Sequence, residues 1–111
     1  MNMEIPEITP KEMYESINRG DELIILDVRT KEEFDEGYIK DAINLPLDVL
    51  ENDIGKVVPD KRAKVYVYCH SGARSEAAVE YMMKQGYSQV FNMINGIAQW
   101  ESENLPIEMS D

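Results

Sequence analysis

Two short apolar runs, "LIILDV" (23–28) and "KVYVY" (64–68), constrain this chain more than any other feature. "LIILDV" is apolar without a polar face and is bounded by charge, which suits a strand covered on both sides. Such strands belong to parallel sheets, where each crossover needs a helix, and the intervening sequence supplies helices. Thr9-Pro10-Lys11-Glu12 has the form of a helix start: Thr9 as N-cap, Pro10 in the first helical position, Glu12 closing a capping box. Met13 and Ile17 lie four apart on its predicted inner face, and Gly20 ends it. Thr30-Lys31-Glu32-Glu33 repeats the signature for a short helix that Gly37 stops. "AINLP" (42–46) reads as a short strand cut off by Pro46, and Asp48 as the cap of a helical stretch to about Ile54. Beyond "KVYVY", Ala77, Ala78, Tyr81 and Met82 recur at helical spacing through residues 74–84, with Gly86 capping the end. "QVFNM" (89–93) is a further strand and "GIAQWESEN" (96–104) a last helix. The expected architecture is α/β, with a central, mainly parallel sheet of about five short strands and helices on both faces. With 111 residues, one domain spanning 1–111 is expected.

A composition of 43% hydrophobic and 30% charged residues is that of a folded globular chain. No stretch approaches the roughly 18 consecutive apolar residues of a membrane span. The opening "MNMEIPEITP" lacks the basic and apolar regions of a signal peptide. A single cysteine closes no internal disulfide, so a reducing cytoplasm is the expected compartment. The net charge of −11 weighs against nucleic acid and against anionic membrane surfaces as partners. Solubility is the plain reading of that acidity, and a basic protein partner the sharper one.

The only cysteine and the only histidine stand side by side in "CHSGARS" (69–75), between the run "KVYVY" and a predicted helix. In an open parallel sheet, sites form outside the carboxyl ends of the strands, where loops feed helices. Backbone N–H groups of residues 70–75 can converge near the Cys69 sulfur as an anion nest. The positive end of the following helix, with Arg74 beside it, favours thiolate over thiol. Gly72 allows the backbone to close the loop tightly. A buried strand-end cysteine is the plainer alternative, but polar, glycine-bearing and basic residues follow it. One Cys and one His fall short of the three or four ligands of zinc, and a redox dithiol needs a second cysteine. Cys69 is therefore the candidate nucleophile, and His70, Ser71, Gly72, Ala73, Arg74 and Ser75 are the candidate substrate cradle. Within it, Ser75 reads mainly as a helix cap, and His70 as either tuning substrate or facing solvent. Asp27 and Arg29 read as an ion pair pinning strand to helix, Trp100 as core, and Tyr66 and Tyr68 as sheet packing.

These residues together resemble the rhodanese-like domain, the single-domain sulfurtransferase family. "CHSGAR" (69–74) is similar to its active-site pattern of Cys, two residues, Gly, one residue, Arg. "LDVRTKEEFDEGYIKDAINLP" (26–46) resembles its Asp-x-Arg, acidic-aromatic helix, Gly-His-Ile and Ala-x-Asn-x-Pro segment. "INGIAQWESENLPIE" (94–108) resembles its Gly-Gly, Trp and closing Pro pattern. Tyr38 stands where the family usually has His, Asp41 where it often has Gly, and Asn95 for the first of the paired glycines. His70 follows the cysteine where many active members carry Arg.

The resemblance implies a rhodanese-like fold and sulfur transfer by a cysteine persulfide. Cysteine phosphatases and arsenate reductases also hold a thiolate in an N–H cradle, but in a loop one residue longer between Cys and Arg. The shorter loop here suits sulfane sulfur and is cramped for a tetrahedral phosphate. The expected chemistry is double displacement, with thiosulfate or a persulfide as donor and a thiol, cyanide or a protein as acceptor. It calls for no cofactor and no metal, and a monomer is expected. A non-catalytic docking module of the same fold, and a phosphatase or arsenate reductase, are the competing readings.

Overall fold

A computed structural model describes residues 4–109. The element order is β1 (Glu7–Ile8), α1 (Pro10–Asn18), β2 (Ile24–Asp27), α2 (Lys31–Glu36), β3 (Ile43–Asn44), α3 (Leu47–Val57), β4 (Lys64–Tyr68), α4 (Ala73–Lys84), β5 (Gln89–Met93) and α5 (Gly96–Ser102). The strands form one sheet in the order β1-β5-β4-β2-β3, and each of its ladders is parallel. This is the α/β architecture expected, with helices on both faces. Among the described residues, no helix is long and apolar enough to cross a membrane.

β4 lies at the centre, paired from Ile24↔Val65 to Asp27↔Tyr68 on one side and from Lys64↔Gln89 to Val67↔Asn92 on the other. Its alternation divides the core. Val65 and Val67 point to the side of α3 and α4, packing with Leu50, Ile54, Ala78, Val79 and Met82. Tyr66 and Tyr68 point the other way, among Met13, Ile97 and Trp100 of α1 and α5. The Tyr66 hydroxyl donates to Ser16 Oγ at 3.1 Å, and the Tyr68 hydroxyl accepts the Ile39 N–H at 3.1 Å. Sheet packing, with each phenol partnered, thus accounts for both tyrosines. The same period carries past the strand end: Cys69 follows Val65 and Val67 onto the α4 face.

Both predicted capping boxes are present, Thr9 with Glu12 and Thr30 with Glu33. Gly86, at φ +97°, closes α4 in a Schellman turn, with Tyr87 N–H on Met82 O and Gly86 N–H on Met83 O. Two local expectations are corrected, and one strand is added. Asp48 does not cap a helix ending near Ile54; α3 begins at Leu47 behind Pro46 and runs to Val57. The Leu47 N–H is already bound to Val28 O at 3.1 Å, so the end of β2 takes part of a side-chain cap's work. Ala77 is exposed, and the inward stripe of α4 is Ser75, Ala78, Val79 and Met82. β1 has no signal of its own in sequence. Two residues form a strand there because Pro6 O and Ile8 O accept N–H groups from Asn92 and Ile94, a tertiary effect.

Candidate active site

The site is built where β4 ends. Cys69 is buried, and its sulfur faces the start of α4. Gly72 is the N-cap, at φ +112°, and offers no side chain to cap the helix. The first N–H groups of α4 are therefore left for another acceptor, and the sulfur lies among them. Gly72 N–H donates to Cys69 Sγ at 3.1 Å, and Ser75 Oγ lies 3.4 Å from it. Burial pushes the thiol pKa up, but the Ser75 hydroxyl and the Ser75, Gly72 and Ser71 N–H groups outweigh it. The net result holds Cys69 below the usual thiol value, favouring thiolate.

Ser75 is not the helix cap the sequence suggested. It sits one turn in, fully buried, with its hydroxyl among Cys69 Sγ, Gly72 O at 3.1 Å and Asn92 Oδ1. A hydroxyl has one proton for these three acceptors, so its rotation couples the charge on sulfur to the Asn92 amide. Asn92, whose Nδ2 donates to Gly72 O at 3.3 Å, is a site residue the sequence reading missed. Its one signal was a polar residue inside the apolar strand "QVFNM", where a buried amide needs partners.

Ser75→Ala is expected to raise the Cys69 pKa by removing the one side-chain donor to the sulfur. The sign follows from thiolate being the form that accepts this bond: less thiolate forms at a given pH, and sulfur loading needs higher pH. Titration of thiolate ultraviolet absorbance measures it, and an unmoved midpoint in the folded variant removes Ser75 from this role.

A second element fixes the loop from behind. The first N–H groups of α5 hold its carbonyls: Ile97 N–H on Cys69 O at 2.9 Å and Ala98 N–H on His70 O at 3.0 Å. Gly96, at φ +61°, makes this approach possible, because a Cβ there would overlap the His70 carbonyl and Cys69 O. Gly96→Ala is therefore expected to displace the loop and lower sulfur loading about a hundredfold, the order of effect of an ångström-scale misplacement. Loading kinetics on a variant that still unfolds cooperatively would test it, and a wild-type rate would refute it. Asn95, also at φ +61°, and Asp41, at φ +69°, take left-handed conformations. Asn and Asp are the non-glycine residues that tolerate this region best, which explains how they can stand at positions where the resemblance would put glycine.

The rest of the expected cradle is distributed differently. The side chains of His70, Ser71 and Ala73 are exposed, so Ser71 serves the sulfur through its backbone. Arg74 turns to α2, with Nη1 on Glu33 Oε1 at 2.7 Å and Nη2 on Glu33 Oε2 at 2.9 Å. Arg74, with the Thr30 backbone and hydroxyl, lowers the Glu33 pKa to about 2 despite partial burial. Asp27 and Arg29 form the expected buried pair at 2.7 Å, and Arg29 Nη2 also donates to Gly37 O at 2.7 Å, tying the end of β2 to the end of α2. Trp100 is buried core, with Nε1 donating to Pro106 O at 2.8 Å. Among the described residues, no group of three or more His, Cys, Asp or Glu side chains is arranged to hold a metal ion.

Known proteins resemble this chain along most of its length. A protein named sulfurtransferase from Allochromatium vinosum is 34% identical over 103 residues, covering 93% of this chain and 94% of that protein. Thiosulfate sulfurtransferase GlpE of Coxiella burnetii is 29% identical over 98 residues, covering 88% of this chain and 89% of that one. The crystal structure of a rhodanese-related protein from Thermoplasma volcanium superposes with a TM-score of 0.83 at 31% identity, covering 93% of this chain and 97% of the other. The model of the rhodanese-like domain matches residues 9–103, and this chain belongs to that family.

Proposed function

We propose that this protein is a rhodanese-type sulfurtransferase that carries sulfane sulfur on Cys69. The observation that supports it best is the Cys69 sulfur at the head of α4, ringed by the N–H groups of Ser71, Gly72 and Ser75 and by the Ser75 hydroxyl. That ring stabilises a negative charge on sulfur, the charge that a thiolate and a persulfide anion share. Only four residues separate Cys69 from Arg74, which keeps the donors close to sulfur and leaves little room for a tetrahedral phosphate.

The reaction is double displacement. The Cys69 thiolate attacks the outer sulfur of the donor, a new S–S bond forms, and the donor's own S–S bond breaks. The leaving group, sulfite from thiosulfate or a thiolate from a persulfide, departs with the electron pair. An acceptor thiolate or cyanide then attacks the terminal sulfur of the Cys69 persulfide, and Cys69 thiolate is regenerated. Gly72 and Ser75 hold the charge in every state, while the exposed His70 and the Glu33-bound Arg74 stand on the same loop. No metal or cofactor enters these steps. A reducing, cytoplasmic setting suits a single catalytic thiol working within one domain. Intact-mass measurement after incubation with a donor tests the proposal. One added sulfur, lost again on addition of cyanide, is expected, and an unmodified mass with thiosulfate and with a persulfide would overturn it.

A further inference from the structure

Arg74 is the one permanently cationic side chain of the loop 69–75, and its guanidinium lies edge-on against the Glu33 carboxylate through two short bonds. Glu33 is itself fixed: as the third residue of α2 it closes the capping box, its Oε1 accepting the Thr30 N–H at 3.1 Å. The pair therefore carries no net charge, so the loop around Cys69 offers an incoming donor no uncompensated permanent cation. Thiosulfate is a dianion, and its attack by a thiolate brings like charges together. A hydropersulfide brings at most one charge at its reacting end, so the same neutralised entrance costs it far less.

We infer that Glu33 is a specificity-determining residue: by holding Arg74 it disfavours thiosulfate, and the site takes sulfane sulfur from hydropersulfides. The inference rests on the sulfur-transfer reading above. The step balances without an outside oxidant. Cys69 thiolate attacks the terminal sulfur of R–S–SH, the new S–S bond forms as the old one breaks, and RS⁻ leaves with the electron pair. The proton of the terminal sulfur passes to RS⁻, leaving the Cys69 persulfide anion and a thiol.

The decisive variant is Glu33→Gln, because glutamine at this helix position still closes a capping box while the charge that holds Arg74 is gone. Loading of Cys69 is followed by intact mass with two donors, thiosulfate and cysteine persulfide, over a range of concentrations. Wild type is expected to load faster from cysteine persulfide at equal concentration. In Glu33→Gln the efficiency with thiosulfate is expected to rise about tenfold, mostly through KM. The Arg74 and Glu33 side chains are 37% and 30% exposed, so this gain should shrink as salt is raised. Efficiency with cysteine persulfide should change by less than about threefold, the scale of a partly exposed ion pair. The gain with thiosulfate should vanish in an Arg74→Gln background, since Glu33 acts through Arg74. A thiosulfate efficiency that stays level or falls in folded Glu33→Gln, or a gain that survives without Arg74, overturns the inference and leaves sulfur transfer standing. No sulfur on Cys69 from either donor overturns the functional reading and this inference with it.

Discussion

Cys69→Ser is expected to abolish sulfur loading, with a loss of roughly 10³-fold or more, while the fold persists. The two side chains are close in size, and the site is already polar: Gly72 N–H and the Ser75 hydroxyl face the replaced atom. A serine hydroxyl there finds partners, so the stability change should stay within about 1 kcal/mol. Reactivity is another matter. The ring of donors shifts a thiol towards thiolate, but the same donors cannot ionise an alcohol near neutral pH, and oxygen forms no persulfide. Two measurements separate these effects. Thermal unfolding should give near-wild-type midpoints, and intact mass after donor treatment should show no added sulfur. A folded serine variant that still moved sulfur from thiosulfate to cyanide would end the assignment of Cys69 as carrier.

The order of elements was legible because strand and helix signals here are strong and local. "LIILDV" and "KVYVY" have no solvent face, and two capping boxes mark the helices before and after "LIILDV" from four residues each. The place of Cys69 was legible because sites in an open parallel sheet form where a strand end feeds a helix, and the structure adds that it shares a face with Val65 and Val67. What escaped the sequence depends on partners distant along the chain. β1 exists through its ladder to β5, and Asn92 matters because β5 brings it under Gly72. Ser75 looked like a cap because Ser is common at helix starts, yet the preceding glycine took that position and pushed Ser75 inward against the sulfur. The direction of Arg74 was the least legible. Nothing local tells whether a loop arginine faces an incoming anion or a carboxylate forty-one positions away.

Arg29→Met is expected to destabilise the fold by about 3–5 kcal/mol, because it leaves the Asp27 carboxylate buried without its counter-charge. Asp27 is fully buried and Arg29 nearly so. Asp27 Oδ1 accepts from the Arg29 N–H at 2.9 Å and Nε at 3.0 Å, and Oδ2 from Nη2 at 2.7 Å. Methionine fills part of the space but satisfies only the packing. The double variant Asp27→Asn with Arg29→Met discriminates charge from shape. Asparagine keeps an acceptor for the Arg29 N–H and removes the buried charge, so it should recover roughly half of the loss. Some deficit must remain, because Gly37 O loses its donor in both variants, at about 1 kcal/mol. Urea unfolding reads both numbers as midpoints at an unchanged slope. A single variant that cost less than about 1 kcal/mol would show that the pair is dispensable. The site should register the change as well, since Arg29 holds the end of α2 through Gly37, and α2 carries Glu33 against Arg74. A loosened α2 weakens that hold, so the double variant, once stable, is expected to use thiosulfate better than wild type does.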